Sequence, residues 1–257
     1  MNEETPILKQ APAKTNSGEK KPVGLIVTVI ILSVAVVAVG VVLAIILTTT
    51  QGNKPSSVDK PDEETVVIDK EPNEEKVPEE HIRGNRNSKV LVVEYADPQC
   101  PGCASMMPRM DAIYEKYKDK VAFTYRHYPL NYHKNAMSAA IAIESAGLQG
   151  YFWEMLSTVF ANQDDWENLS GTKLTNKYVE LFKTASKSKG DVDEFKANLK
   201  NSKLEEKINN DKSKGVNDKV SATPTIIVNG EQVDFMSDKS VETQIKEMIE
   251  EALDEEQ

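Results

Sequence analysis

The most sustained apolar pattern in the chain is Val23–Leu47, VGLIVTVIILSVAVVAVGVVLAIIL, which contains no charged residue. As a helix it would be about 37 Å long, enough to cross a bilayer with some tilt. A cleaved signal peptide has a shorter apolar region followed by a small-x-small site, whereas this run exits into Thr48-Thr49-Thr50-Gln51. No cysteine stands there to carry a lipid. The pattern therefore predicts a single transmembrane helix over residues 23–47. Thr48–Asn85 is polar and interrupted by Pro55, Pro61, Pro72 and Pro78, and is read as a disordered acidic linker. Such a linker would let whatever follows range about 35 to 120 Å from the bilayer. The short patch Thr65–Asp69 is its one candidate edge strand.

Beyond the linker the pattern changes. Lys89–Ala96, KVLVVEYA, is nearly continuous in apolar residues, as in a strand buried on both faces, and its one internal charge is Glu94. Asp97-Pro98 signals a turn, and a helix follows from the cysteines to about Tyr117, with Pro108 inside it expected to kink it. Val121–His127 predicts a second strand. Helical periods then recur over His133–Leu148, Tyr151–Asn162, Asn176–Lys187, Val192–Leu199 and Lys203–Asp211. Phe152, Trp153, Met155, Val159 and Phe160 have the spacing of a core face. Strand returns at Thr225–Val228, and Asn229-Gly230 predicts a hairpin to Glu231–Phe235. A last amphipathic helix spans about Lys239–Leu253, with Val241, Ile245, Met248, Ile249 and Ala252 on one face.

The formal net charge is −10, with 31 basic and 41 acidic side chains, which excludes a simple basic nucleic-acid binder. The charge is unevenly placed: +1 over residues 1–22, −5 over Gln51–Arg83, −6 over Glu247–Gln257, and zero over Arg86–Lys246. Lys9, Lys14, Lys20 and Lys21 precede the apolar run, so the amino end is expected in the cytoplasm and the rest outside. The organisation read from these patterns is a cytoplasmic arm (1–22), a membrane helix (23–47), a linker (48–85) and one α/β domain (86–257). The expected location is the cell membrane, in a single pass with the domain extracytoplasmic.

The chemistry rests on two cysteines, Cys100 and Cys103, the only ones in the chain. As a structural staple they would close so small a loop that the chain-entropy gain is roughly 2 kcal/mol. As a zinc site they supply two of four ligands, and the other candidates are His81, His127 and His133. As a redox pair they need a thiolate at a helix N-terminus, where unpaired N–H groups and the helix dipole stabilise the anion. Buried strand, turn, then Cys100 at a helix start supplies that arrangement. His127 and His133 are read as packing or surface residues. Met106 and Met107 are open to either an apolar substrate surface or burial.

The segments EYADPQCPGC, Ser221-Ala222-Thr223-Pro224-Thr225 and Asn229-Gly230, with YRHYPLNYHKNAMSAA and QGYFWEM between them, resemble the DsbA-like thiol–disulfide oxidoreductases of the thioredoxin superfamily. The resemblance covers roughly residues 82–253. It implies a thioredoxin fold carrying an inserted helical block at about residues 131–219. It further implies that Cys100 is the exposed nucleophile and Cys103 its buried partner in a redox-active disulfide. Thr223-Pro224 would be a cis-proline turn facing them and binding substrate, and Glu94 a buried acid able to relay a proton to Cys103. No metal and no cofactor are implied. Unfolded or reduced extracytoplasmic proteins would be the substrates, with a quinone-linked membrane reoxidant resembling DsbB or a VKOR-type protein. One departure is the dipeptide Pro101-Gly102, where strongly oxidising members carry Pro-His. Disulfide introduction is the favoured direction. Extracytoplasmic reduction or isomerisation is the alternative, and a non-catalytic binding or copper-handling module is the reading from a different class.

Overall fold

The computed structural model describes residues 77–255. The arm, the apolar run 23–47, the patch 65–69 and most of the linker lie outside the described residues. No helix among the described residues is long and apolar enough to cross a membrane.

Five strands form one mixed sheet: β1 (His81–Gly84), β2 (Leu91–Ala96), β3 (Ala122–His127), β4 (Thr225–Val228) and β5 (Glu231–Gln232). Their order is β1-β3-β2-β4-β5, with β2 and β3 parallel and the other neighbours antiparallel. β2 is thus central, which explains its unbroken apolar run. Val92 faces a cluster with Phe123, Ile226 and Val228, whereas Val93 and Tyr95 face another with Tyr128, Val220 and Ile227. The alternation follows from the two-residue period of a strand.

Helix α1 (Pro101–Tyr117) follows β2 and runs through Pro108. The inserted block contains α2 (Ala136–Gly147), α3 (Phe152–Ala161), α4 (Gln163–Trp166), α5 (Gly171–Ala185), α6 (Val192–Asn198) and α7 (Ser202–Asn217), and α8 (Val241–Asp254) closes the chain. α1 belongs to two cores at once. Met106, Met110 and Ile113 pack with Ile245 and Ile249 of α8 over the sheet, while Cys103 and Met107 pack with Ile143, Phe152, Met155 and Trp166 of the insert. At 100° per residue these two sets occupy adjoining flanks of one broad stripe.

Several sequence expectations need correction. His81–Gly84 lies inside the stretch read as disordered linker, yet it pairs with β3, and Arg83 is held between the rings of Tyr114 (4.1 Å) and Trp153 (4.3 Å). Four residues flanked by polar sequence carry no readable period, so the partner rather than the pattern makes this strand. The expected strand Glu231–Phe235 stops at Gln232, because the Asp234 carboxylate accepts from Met236 N–H (2.8 Å) and turns the chain. α7 runs six residues beyond the expected Asp211, through Gly215, where an added Cβ would meet the Tyr128 ring at 2.7 Å. That glycine allows close packing instead of ending the helix. α5 begins at Gly171 rather than Asn176, and α4 was not expected.

A charged cluster joins the insert to the sheet in the interior. Glu144 of α2 contacts His81 Nε2 (2.7 Å), His127 Nε2 (3.1 Å) and Lys207 Nζ (2.7 Å), and Lys207 also donates to Asp211 Oδ2 (2.8 Å). Burial alone would push the Glu144 carboxyl up, but His81, Lys207 and His127 hold it well below the usual carboxylate range. Removing one member of a buried set leaves the others uncompensated. Glu144→Ala is therefore expected to lower the unfolding free energy by about 3–5 kcal/mol in denaturant titration; a loss below about 1 kcal/mol would show that the cluster contributes no more than a surface pair.

Candidate active site

β2 ends at Ala96 and α1 begins at Pro101, so residues 97–100 form a turn at the carboxyl end of the central strand. Cys100 is the N-cap of α1, in extended conformation, and makes no side-chain capping bond. Pro101 takes the first helical position, where its missing N–H costs nothing. The N–H groups of Gly102 and Cys103 are thereby left to act on the Cys100 sulfur.

The sulfur is held from several sides. Both cysteines are unpaired thiols, and the Cys100 thiol lies 3.4 Å from the carbonyl of Thr223. The Thr223–Pro224 peptide bond is cis. An added Cβ on Gly102 would lie 3.4 Å from Pro224 Cδ and 3.6 Å from Cys100 Sγ, so the glycine leaves an opening between the proline and the sulfur. Cys100 retains only 9% of its accessible surface and Cys103 none. The nucleophile expected to be exposed is thus nearly covered, because the Thr223-Pro224 turn closes over it.

The two thiols have divergent proton affinities. A hydrogen bond from the Cys103 thiol is the main cause lowering the Cys100 pKa to about 5, against the opposing effect of burial. The Thr223 hydroxyl, which has no hydrogen-bond partner among the described residues, and the backbone N–H groups of Cys103 and Gly102 favour the same anion. Burial pushes the Cys103 thiol far up, and its hydrogen bond to Cys100 adds to this. At neutral pH the pair therefore holds one thiolate and one thiol.

Glu94 lies mid-way along β2, between Tyr125 of β3 and Ile226 of β4, and is almost fully buried. Its Oε1 has no hydrogen-bond partner among the described residues. Burial raises its pKa to about 7, with Arg83 acting in the opposite direction. Its charge in turn disfavours ionisation of Cys103, which places the two groups within electrostatic reach. A carboxyl near pH 7 within electrostatic reach of a buried thiol has the proton affinity suited to proton transfer. Among the described residues, no group of three or more His, Cys, Asp or Glu is placed to hold a metal ion.

The residues that support the turn carry little signal in the sequence. Asp97 is completely buried, and its carboxylate accepts from Gln99 N–H (2.7 Å) and Leu130 N–H (2.8 Å) and lies 2.8 Å from His133 Nδ1. His133, read as a packing or surface residue, thus contacts the turn that carries Cys100. The signal available was Asp97-Pro98 alone, which predicts a turn but not its partners.

The family described as Thioredoxin matches residues 76–247. Na(+)/H(+) antiporter NhaA 1 of Mycolicibacterium gilvum is 31% identical over 156 residues, covering 60% of this chain and 24% of the antiporter. NhaA 3 of Salinispora tropica is 35% identical over 152 residues, covering 59% of this chain and 22% of that protein. The chain thus spans under a quarter of the length of these curated relatives. Among solved structures, oxidised BdbD of Bacillus subtilis superimposes with a TM-score of 0.56 at 26% identity, covering 72% of this chain and 96% of BdbD. MdbA of Corynebacterium diphtheriae, a thiol-disulfide oxidoreductase, does so at 0.56 with 15% identity, over 66% of this chain and 89% of MdbA, and alpha-DsbA1 of Wolbachia pipientis at 0.52 with 24%, over 70% and 96%. The fold is a mixed α/β thioredoxin fold with a helical insert, its neighbours are DsbA-like oxidoreductases, and the chain belongs to the thioredoxin family.

Proposed function

We propose that this chain is a membrane-anchored, extracytoplasmic thiol–disulfide oxidoreductase that introduces disulfides into unfolded or reduced proteins through Cys100 and Cys103. The observation that carries the reading is the thiolate-stabilising seat of Cys100, at the N-cap of α1 and within reach of the backbone N–H groups of Gly102 and Cys103. In the oxidising direction, a substrate thiolate attacks Cys100 Sγ of the Cys100–Cys103 disulfide. The sulfur–sulfur bond breaks, the electron pair leaves on Cys103, and that sulfur takes a proton, for which the Glu94 carboxyl is a buried source within electrostatic reach. A second substrate thiolate then attacks the substrate sulfur of the mixed disulfide and expels Cys100 as a thiolate. The substrate has lost two electrons and the enzyme has gained them. A low-pKa thiolate is a good leaving group, and its stability in the reduced enzyme makes the disulfide oxidising.

Return to the disulfide needs a two-electron acceptor, for which a quinone-linked membrane protein resembling DsbB or a VKOR-type protein has the right chemistry. The apolar run 23–47, preceded by lysines, supports the anchor and the orientation. The segment shared with the antiporters is under a quarter of their length.

In assays of disulfide formation in a reduced, unfolded protein, Cys100→Ser and Cys103→Ser are each expected to reduce the rate to background, whereas Cys103→Ser offered a disulfide-bonded protein should accumulate the mixed disulfide formed when its Cys100 thiolate attacks that disulfide. Unimpaired turnover by Cys100→Ser would remove the enzymatic reading altogether. Direction is settled by acid-trapping the thiols in cells: a mainly oxidised pair marks a disulfide donor, and a mainly reduced pair marks a reductase. A third expectation concerns pH. Alkylation of Cys100 in the reduced protein should rise to half its plateau near pH 5, following the thiolate. The folded value lies below the unfolded one, so the stability this thiolate gives the reduced form is complete above the unfolded pKa of about 8.5 and is lost as pH falls through about 5. Alkylation that rises only near the free-cysteine value would contradict the activated thiolate.

A further inference from the structure

The turn that presents Cys100 belongs neither to the sheet nor to a helix, yet each of its first three residues is bonded to the inserted block. The Asp97 carboxylate bonds the loop between β3 and α2 at Leu130 N–H and His133 Nδ1, both at 2.8 Å. The Pro98 carbonyl accepts from the Gln163 side chain of α4 at 2.8 Å. The Gln99 side chain accepts from Asn135 N–H (2.7 Å) and donates to the Glu167 carbonyl (3.2 Å). Asn135 in turn donates to the carbonyls of Glu167 (2.9 Å) and Leu169 (3.0 Å), fastening the segment after α4 to the same loop. Within the turn, Asp97 Oδ1 accepts from Gln99 N–H and the Asp97 carbonyl accepts from Cys100 N–H at 3.0 Å. One fully buried carboxylate thus fixes both the internal shape of the turn and its attachment to the insert.

We propose that Asp97 is a positioning residue for Cys100, whose carboxylate ties the turn 97–100 to the loop 130–133 and so holds the nucleophilic sulfur over the first turn of α1. The inserted block is then part of the redox site. The proposal rests on the reading of Cys100 as the nucleophile. Stabilisation of the sulfur anion by N–H and hydroxyl donors depends steeply on distance and direction, so a turn released from the insert would let the sulfur drift from Gly102, Cys103 and Thr223. Two effects of Asp97 oppose each other. As a charge it disfavours the thiolate; as an anchor it places the sulfur where the thiolate is stabilised. Neutralising the residue without changing its size separates them by sign.

The test is the ultraviolet thiolate titration of the reduced full chain, with Cys100→Ser as the blank, in Asp97→Asn and in Gln99→Met. Gln99→Met removes two of the bonds without altering charge, and its partly exposed side chain makes it the milder change. The expected result is an upward shift of the Cys100 midpoint by about one unit in Asp97→Asn and about half that in Gln99→Met. A midpoint that stays in place or moves down in the folded variants overturns the proposal. If Asp97→Asn does not fold, His133→Leu, which removes one partner of the Asp97 carboxylate, decides by the same criterion. The titration needs no turnover. A wild-type chain without exchange activity but with these shifts would remove the enzymatic reading and keep the positioning role, whereas an active chain without them would do the reverse.

Discussion

A helix shared between two hydrophobic cores is the constraint on which the rest of this structure depends. α1 cannot move as a unit without disturbing either Met106, Met110 and Ile113 against the sheet or Cys103 and Met107 against the insert. Its first turn is therefore held at one place beneath the Thr223-Pro224 segment. That fixity gives the chemistry its character, because unpaired N–H groups at a helix start stabilise an anion only if the anion stays within their reach. Burying Cys103 on the insert side raises its own proton affinity and turns its thiol into a donor to Cys100. One packing arrangement thus drives the two sulfurs in opposite directions.

Legibility in the sequence followed the range of the interaction. Local signals were clear: the apolar run 89–96 contains the central strand, which begins at Leu91, Asn229-Gly230 makes its hairpin with both residues at positive φ, and a cysteine after a turn stands at a helix N-terminus. Glu94 was visible as a single charge in an apolar strand, but its burial depended on which strands flank it. β1 was missed because four residues carry too little period to register, and its strand conformation comes from β3. The start of α2 at Ala136 instead of His133 has a similar cause, since residues 130–135 are held by Asp97 and Gln99, more than thirty positions upstream.

The insert has two kinds of contact with the thioredoxin core. Apolar packing around Trp166, Phe152 and Ile143 supplies area without direction. The Glu144 cluster and the bonds to residues 97–99 supply direction, since a buried carboxylate tolerates few alternative placements of its partners. Together they account for an all-helical block that sits in one orientation on a sheet with which it shares no strand.

The placement of β1 also decides how the domain would respond to tension. The chain enters the sheet at its outermost strand, at the edge opposite β5, through four residues paired antiparallel with β3. A pull from the amino-terminal side would load the Glu80 bonds to Arg126 (3.0 Å) and Lys214 (2.7 Å) first, then that short ladder and the His81–Glu144 contact. β2, which leads into the cysteine turn, is separated from β1 by the whole of β3. Mechanical strain entering from the amino side is thus absorbed at the periphery before it can reach the sulfurs.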